Sequence, residues 1–288
     1  MKKILVTGAS GFIGNHVVNK LLETDCKIIT SATSLSKVEQ YEWFSKVDFI
    51  SYDIINQKIL NLYEYFSCPD LVIHLAWPGL PNYKSELHVD LYLPRQIDFL
   101  SDLLKQGLKS VSIVGTCFEY GMQEGELMES FDCNPVTAYG IAKNALRMYI
   151  EELRKEYDFN YKWVRLFYTY GLGQNNKSIL PQLKFAIDQG QEYFNMSGGE
   201  QVRDFLEVSK LASNLTKISL DKNFNGVVNN CSGKGIKIKD FVQNYINSCG
   251  SNIKLNLGHY PYLDYEPMQF WGNINLLERI LNNSSTTK

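Results

Sequence analysis

The segment Ile4-Leu5-Val6-Thr7-Gly8-Ala9-Ser10-Gly11-Phe12-Ile13-Gly14 constrains the fold of this chain more than any other stretch. An apolar run that ends in a glycine turn and enters a helix sets the backbone N–H groups of the helix N-terminus where a dinucleotide pyrophosphate can sit. Gly8 permits the tight turn, Gly11 lets the backbone approach the phosphates, and Gly14 lets the helix pack closely on the sheet. With 20 Gly in 288 residues, chance would give this triplet spacing only about 0.1 times. The motif therefore predicts a dinucleotide site lined by Gly8, Ser10, Gly11, Phe12, Ile13 and Gly14.

Apolar runs alternate with helical patterns through the first half, which predicts an α/β fold of the Rossmann type: a doubly wound parallel sheet with helices on both faces. Strands are expected near 3–7, 26–30, 47–50, 71–76, 110–115 and 161–167. Helices are expected near 12–24, 35–46, 56–66, 86–106 and 137–157, with Pro94 starting or kinking its helix. Beyond Gly171 the regularity fades. The expected division is a dinucleotide-binding domain over 1–170 with a returning segment near 200–231, and a smaller α+β substrate lobe over 171–288. The polar tail from Asn282 to Lys288 is expected to fray.

Composition narrows the function. A net charge of −2 supplies no broad basic field for nucleic acid or an anionic membrane, so any phosphate must be held locally. Six scattered cysteines without a Cys-x-x-Cys pair suggest reduced thiols, no bound metal and a cytoplasmic protein. With the first strand directly at the N-terminus no signal peptide is expected, and no apolar run reaches membrane-span length.

Tyr139-Gly140-Ile141-Ala142-Lys143 puts a phenol and an ammonium one helical turn apart on one face. Such a pair arises about once by chance in a chain of this composition, so its context carries the weight. The pair opens a helix after Asn134-Pro135, and Thr116 sits just past the apolar strand Val111-Ser112-Ile113-Val114. Interconverting a secondary alcohol and a ketone by hydride transfer needs a group that exchanges a proton with the same oxygen. Lys143 is expected to bring the phenol of Tyr139 into range, and Thr116 to hydrogen-bond the reacting oxygen.

Thr-Gly-x-x-Gly-Phe-Ile-Gly, with Thr116-Cys117-Phe118-Glu119-Tyr120-Gly121 and Tyr139-x-x-x-Lys143, resembles the extended short-chain dehydrogenase/reductase family, most of whose members act on nucleotide sugars. The resemblance covers nearly the whole chain. It implies that Lys143 reaches the nicotinamide ribose, that Asp53-Ile54 meets the adenine ring, and that His74-Leu75-Ala76 with Trp77 lies beneath the cofactor. In Gln201-Val202-Arg203-Asp204-Phe205 it implies that Arg203 holds the diphosphate of a sugar nucleotide; the alternative is an ion pair with Asp204 or Glu207. No Asp or Glu follows the second strand to grip a ribose 2′-hydroxyl. Lys37 and nearby hydroxyls lean toward NADP over NAD.

Within this family, 4,6-dehydratases place Asp and Glu directly after the Thr, where this chain has Cys117 and Phe118, and Glu119 is expected to point elsewhere. The resemblance therefore implies a 4-ketoreductase of a nucleotide-linked, dTDP-type 4-keto-6-deoxyhexose, of the kind used to make surface polysaccharide sugars. Trp77, Tyr83, Phe118 and Trp271 are candidate walls for the sugar and its base. A 4-epimerase with tightly bound NAD and a non-catalytic cofactor-binding sensor are the alternatives. Apolar residues on more than one face of the helices near 86–106 and 137–157 suggest a homodimer.

Overall fold

The computed structural model describes residues 1–283. The first half runs β1 (Lys2–Thr7), α1 (Phe12–Leu21), β2 (Cys26–Ala32), β3 (Asp48–Ser51), α2 (Leu62–Tyr65), β4 (Leu71–His74), α3 (Leu93–Lys105), β5 (Ser110–Thr116), β6 (Gly125–Leu127) and α4 (Ala138–Leu153). It continues through β7 (Asn160–Leu166), β8 (Tyr168–Tyr170), α5 (Ile179–Asp188), β9 (Tyr193–Asn195), β10 (Val202–Glu207) and α6 (Val208–Leu220). The chain then forms β11 (Gly226–Asn230), β12 (Gly235–Lys237), α7 (Ile238–Ser248), β13 (Lys254–Asn256), β14 (Phe270–Gly272) and α8 (Asn275–Asn283).

The main sheet has the order β11-β7-β5-β4-β1-β2-β3, all neighbours parallel. Both faces are covered, which is why its strands read as continuous apolar runs. Ile4 and Val6 share a core with Val17 of α1 and Leu211 and Leu215 of α6. Leu5, between them, points into the opposite core with Phe99 and Leu103 of α3 and Leu146 and Ile150 of α4. The strand order reverses between β1 and β4, so the crevice at their carboxyl ends is the binding edge of a doubly wound sheet.

The C-terminal part is divided. Leu183, Phe194, Met196, Val242 and Ile246 form a small separate core from α5, β9 and α7, whereas Leu277 and Ile280 of α8 join α1 and α6 in the main core. Strands β12, β10 and β8 make a three-stranded sheet.

Three helix expectations differ from the structure. Residues 35–46 form two 3₁₀ turns, Leu35–Lys37 and Phe44–Lys46. They are pinned by side chains instead of a helical ladder: the Trp43 Nε1 donates to Asn15 Oδ1 at 2.7 Å and the Tyr41 hydroxyl to the Ser10 carbonyl at 3.0 Å. Within 56–66 only Leu62–Tyr65 is helical, because the Asn61 side chain accepts from Glu64 N and starts the helix late. The 86–106 segment is a π-helical turn, His88–Tyr92, followed by α3 with Pro94 in its first turn. Of the tail expected to fray, Asn282 and Asn283 end α8, and residues 284–288 lie outside the described residues. No helix among the described residues is long and apolar enough to cross a membrane.

Candidate active site

The glycine turn is built as its spacing predicts. Gly8 has φ +69°, and a β-carbon there would come within 2.8 Å of Ala76 N; one on Gly14 would lie 2.1 Å from the Gly8 carbonyl oxygen. Gly11 differs: its β-carbon would meet only that same oxygen, at 3.2 Å. It is the N-cap of α1, and no side chain caps the helix there. The uncapped N–H groups of this first turn, beside Ser10, Phe12 and Ile13, suit an anion such as a dinucleotide pyrophosphate.

A hydrogen-bonded chain sets the backbone facing this turn. Thr7 Oγ1 donates to His74 Nδ1 at 2.9 Å, His74 Nε2 to Gln96 Oε1 at 2.7 Å, and Gln96 Nε2 to the Ala76 carbonyl at 3.1 Å. Burial holds the imidazole of His74 down to about 3, so it stays neutral and Leu75 and Ala76 stay in register beside Gly8. Asp53 and Ile54 follow β3 at the same edge; the Asp53 carboxylate accepts from Ile55 N and from the Asn56 side chain, both at 2.9 Å.

Thr116, Tyr139 and Lys143 converge at the carboxyl end of β5. The Thr116 Oγ1 accepts from Phe118 N at 3.2 Å while Glu119 Oε1 accepts from Thr116 N at 2.8 Å, a capping box that fixes the turn after the strand. Thr137 caps α4, and Tyr139 N donates to the Tyr83 carbonyl at 3.0 Å. Burial pushes the phenol of Tyr139 well above its usual range, with the negative fields of Tyr83, Glu119 and Cys117 adding and the Thr116 hydroxyl opposing. Lys143 Nζ donates to the Val114 carbonyl at 2.7 Å, and burial lowers it to about 7 against the attraction of Glu119. Burial is the largest influence on the phenol in this arrangement. Tyr139 is a protonated donor at neutral pH.

Four rings surround Tyr139: Trp77, Tyr83, His88 and Phe118, with centroids at 5.9, 5.7, 5.3 and 6.3 Å. Tyr265 packs on Tyr83 and Phe118 at the rim. Trp271 is placed elsewhere, against Gly235. Glu119 points away from the site as expected. It is fully buried, receiving Arg165 Nε at 2.8 Å and the Trp163 indole at 2.9 Å. Cys117 packs with Tyr120, Phe167 and Phe270.

Arg203 corrects the sequence reading in one respect. Neither Asp204 nor Glu207 pairs with it: Asp204 accepts from the backbone of Ser232, Gly233 and Gly272, and Glu207 caps α6. Its partner is Glu266, with Arg203 Nη2 and Nε at 2.8 and 3.2 Å from one carboxylate oxygen. The guanidinium is fully buried beneath the Phe270 ring, 4.7 Å from its centroid. The Glu266 carboxylate lies near enough to Tyr83 and Cys117 for its charge to raise both groups, after burial, the larger cause.

A sequence model of the NAD dependent epimerase/dehydratase family matches residues 4–229. A dTDP-6-deoxy-L-talose 4-dehydrogenase (NAD(+)) from Aggregatibacter actinomycetemcomitans is 30% identical over 93% of this chain and 98% of its own length. A GDP-6-deoxy-D-talose 4-dehydrogenase from the same organism is 25% identical over 84% of this chain and 78% of its own length. Among solved structures, the UDP-glucuronic acid 4-epimerase from Bacillus cereus in complex with UDP-glucuronic acid and NAD superposes with a TM-score of 0.84 at 24% identity, covering 97% of this chain and 93% of that one.

Proposed function

Since the chain belongs to the NAD dependent epimerase/dehydratase family, we propose that it reduces the C4 ketone of a nucleotide-linked, dTDP-type 4-keto-6-deoxyhexose with a reduced nicotinamide cofactor. One observation carries this reading. The Thr116 hydroxyl is hydrogen-bonded to the Tyr139 phenol, and the acid–base groups that a dehydration would need are not offered beside them: Glu119 is bound to Arg165 and Trp163, and Cys117 is in an apolar cluster.

The uncapped start of α1 with Gly8, Gly11 and Gly14, the Leu75–Ala76 backbone, Trp77 and the Asp53–Ile54 pair would hold the dinucleotide, and Lys143 would meet its nicotinamide-side ribose. When bound, that cofactor supplies the hydride. Tyr139, kept protonated by burial, gives its proton to the carbonyl oxygen as negative charge develops there, and Thr116 steadies the same oxygen with a hydrogen bond. Tyr83 and Phe118 wall the sugar, and Arg203 faces the diphosphate. The lean toward NADP finds no support: Lys37 Nζ is held by Thr33 Oγ1 at 2.7 Å, and the talose dehydrogenase relative is named for NAD(+). NAD is the cofactor of this reading.

The purified protein, incubated with NADH or NADPH and a panel of nucleotide 4-keto-6-deoxy sugars, should consume one NADH per sugar and lose cofactor on dialysis. Stoichiometric NAD retained through dialysis, with sugar turnover and no change at 340 nm, would mean a 4-epimerase. Cofactor binding with no turnover of any nucleotide sugar would leave only a sensor.

A further inference from the structure

His88 is fully buried beside Tyr139, and the mechanism above gives it no task. Both its nitrogens are engaged. Trp77 Nε1 donates to His88 Nδ1 at 3.1 Å, and His88 Nε2 donates to the Asn82 carbonyl at 2.9 Å. An indole can only donate, so this fixes the imidazole as the neutral Nε2–H tautomer. It also fixes the plane of the Trp77 ring. That ring lies over the Lys143 ammonium, 4.2 Å from centroid to Nζ, and Trp163 lies beyond at 5.9 Å. No carboxylate forms an ion pair with Lys143 among the described residues. Its one short bond is to the neutral Val114 carbonyl.

We propose that His88 and Trp77 are a positioning pair for Lys143: the imidazole locks the indole, and the indole face steadies a buried ammonium with which no carboxylate pairs among the described residues, keeping it charged where a cofactor ribose arrives. The pair comes from the one segment that joins β4 to α3, and the same segment carries the Tyr83 carbonyl that anchors Tyr139 N. Proton donor and ammonium are therefore set by a single segment. This inference rests on the reading of Lys143 as a ribose-binding cation.

The groups that face Lys143 leave it as the one that titrates in the accessible range. Glu119, on the turn after β5, is paired with Arg165. His74 on β4 is held neutral to about 3, burial lowers His88, and burial raises Tyr139. A cation–π contact stabilises only the protonated amine, so removing the ring lets the proton leave at lower pH.

The test is calorimetric titration of the cofactor-free protein with NAD from about pH 6 to 9. In the native protein affinity should fall as pH rises and Lys143 loses its charge. Trp77→Leu should move the midpoint of that fall down by about one pH unit. Trp77→Phe, which keeps a weaker ring, should move it by about half as much, and His88→Leu should move it in the same direction by releasing the indole. Midpoints that coincide with the native one in folded Trp77→Leu and Trp77→Phe would overturn the proposal; so would a native midpoint in His88→Leu when Trp77→Leu is shifted. The titration needs no sugar. Shifted midpoints in a protein that reduces no nucleotide sugar would therefore refute the proposed reaction and leave the positioning pair standing, and unshifted midpoints in an active reductase would do the reverse.

Discussion

Arg203→Ala is the most informative single change, because it tests both the buried ion pair with Glu266 and the diphosphate contact proposed for the same arginine. Removing the guanidinium deletes two bonds to Glu266 and those to the Val202 and Met268 carbonyls at 2.8 and 3.3 Å. It also leaves the Glu266 side chain, only 8% exposed, without a counter-charge. Breaking a buried pair from one side costs about 3–5 kcal/mol. At about 2–3 °C per kcal/mol for a chain of this size, thermal unfolding should occur roughly 6–15 °C lower. The double variant Arg203→Met/Glu266→Leu leaves no orphaned charge and should recover most of that loss. The kinetic arm uses opposite signs. If a diphosphate binds at this guanidinium, Glu266 competes with it, so Glu266→Gln, which keeps the shape and removes the charge, should lower the sugar-nucleotide KM several-fold, on the order of 1 kcal/mol. Arg203→Ala should raise that KM by roughly 10- to 150-fold and leave the nicotinamide KM nearly unchanged. Calorimetric or fluorescence melts with initial-rate kinetics on the three variants decide the matter. A melting temperature unmoved by Arg203→Ala would refute the buried pair. A sugar-nucleotide KM unmoved by both single variants would make the pair purely structural and put the diphosphate elsewhere.

Tyr139→Phe removes the proton donor and should lower turnover by about 10²-fold or more with cofactor still bound, Thr116→Val being milder; near-native turnover of purified Tyr139→Phe would remove the assignment. Lys143 binds its proton more weakly in the fold, about 7 against 10.5 in the open chain, so below pH 7 the full cost of a buried charge is present, and it is relieved as pH rises through the window up to 10.5. Lys143→Met should therefore stabilise the cofactor-free protein by about 3–5 kcal/mol at pH 6, less the lost bond to Val114, and the gain should shrink toward pH 10; a gain that grew with pH would contradict the sign. Ile141 and Met148, 44% and 57% exposed on one face of α4, suit contact with a second copy, and light scattering that gave only monomer at micromolar concentration would refute a homodimer.

What the sequence revealed and what it hid divide by range. Gly8, Gly11 and Gly14, and Tyr139 with Lys143, act at fixed short spacings on one turn or one helix face, so their geometry follows from local periodicity alone. The alternation of apolar runs was equally local, and it located β1, β2, β4, β5 and β7 closely. The helices at 35–46 and 56–66 failed for a different reason. There tertiary bonds from Trp43 and Tyr41, and the cap at Asn61, override a helical pattern that is present in the sequence. The partners that set the electrostatics are long-range. Glu119 meets Arg165 from 46 residues away and Arg203 meets Glu266 from 63, and no spacing rule names either pair. A signal for the first did exist: a glutamate at the third position of a turn opened by Thr116 reads as a capping box, which already turns its carboxylate back toward the backbone and away from substrate. For Arg203 the sequence offered Asp204 and Glu207 as neighbours. An extended strand turns adjacent side chains to opposite faces, so Asp204 was never placed to reach it. Glu266 reaches it only because β14, two residues past the Pro267-Met268 step that follows the glutamate, is parallel to β6 and brings that segment back over β10.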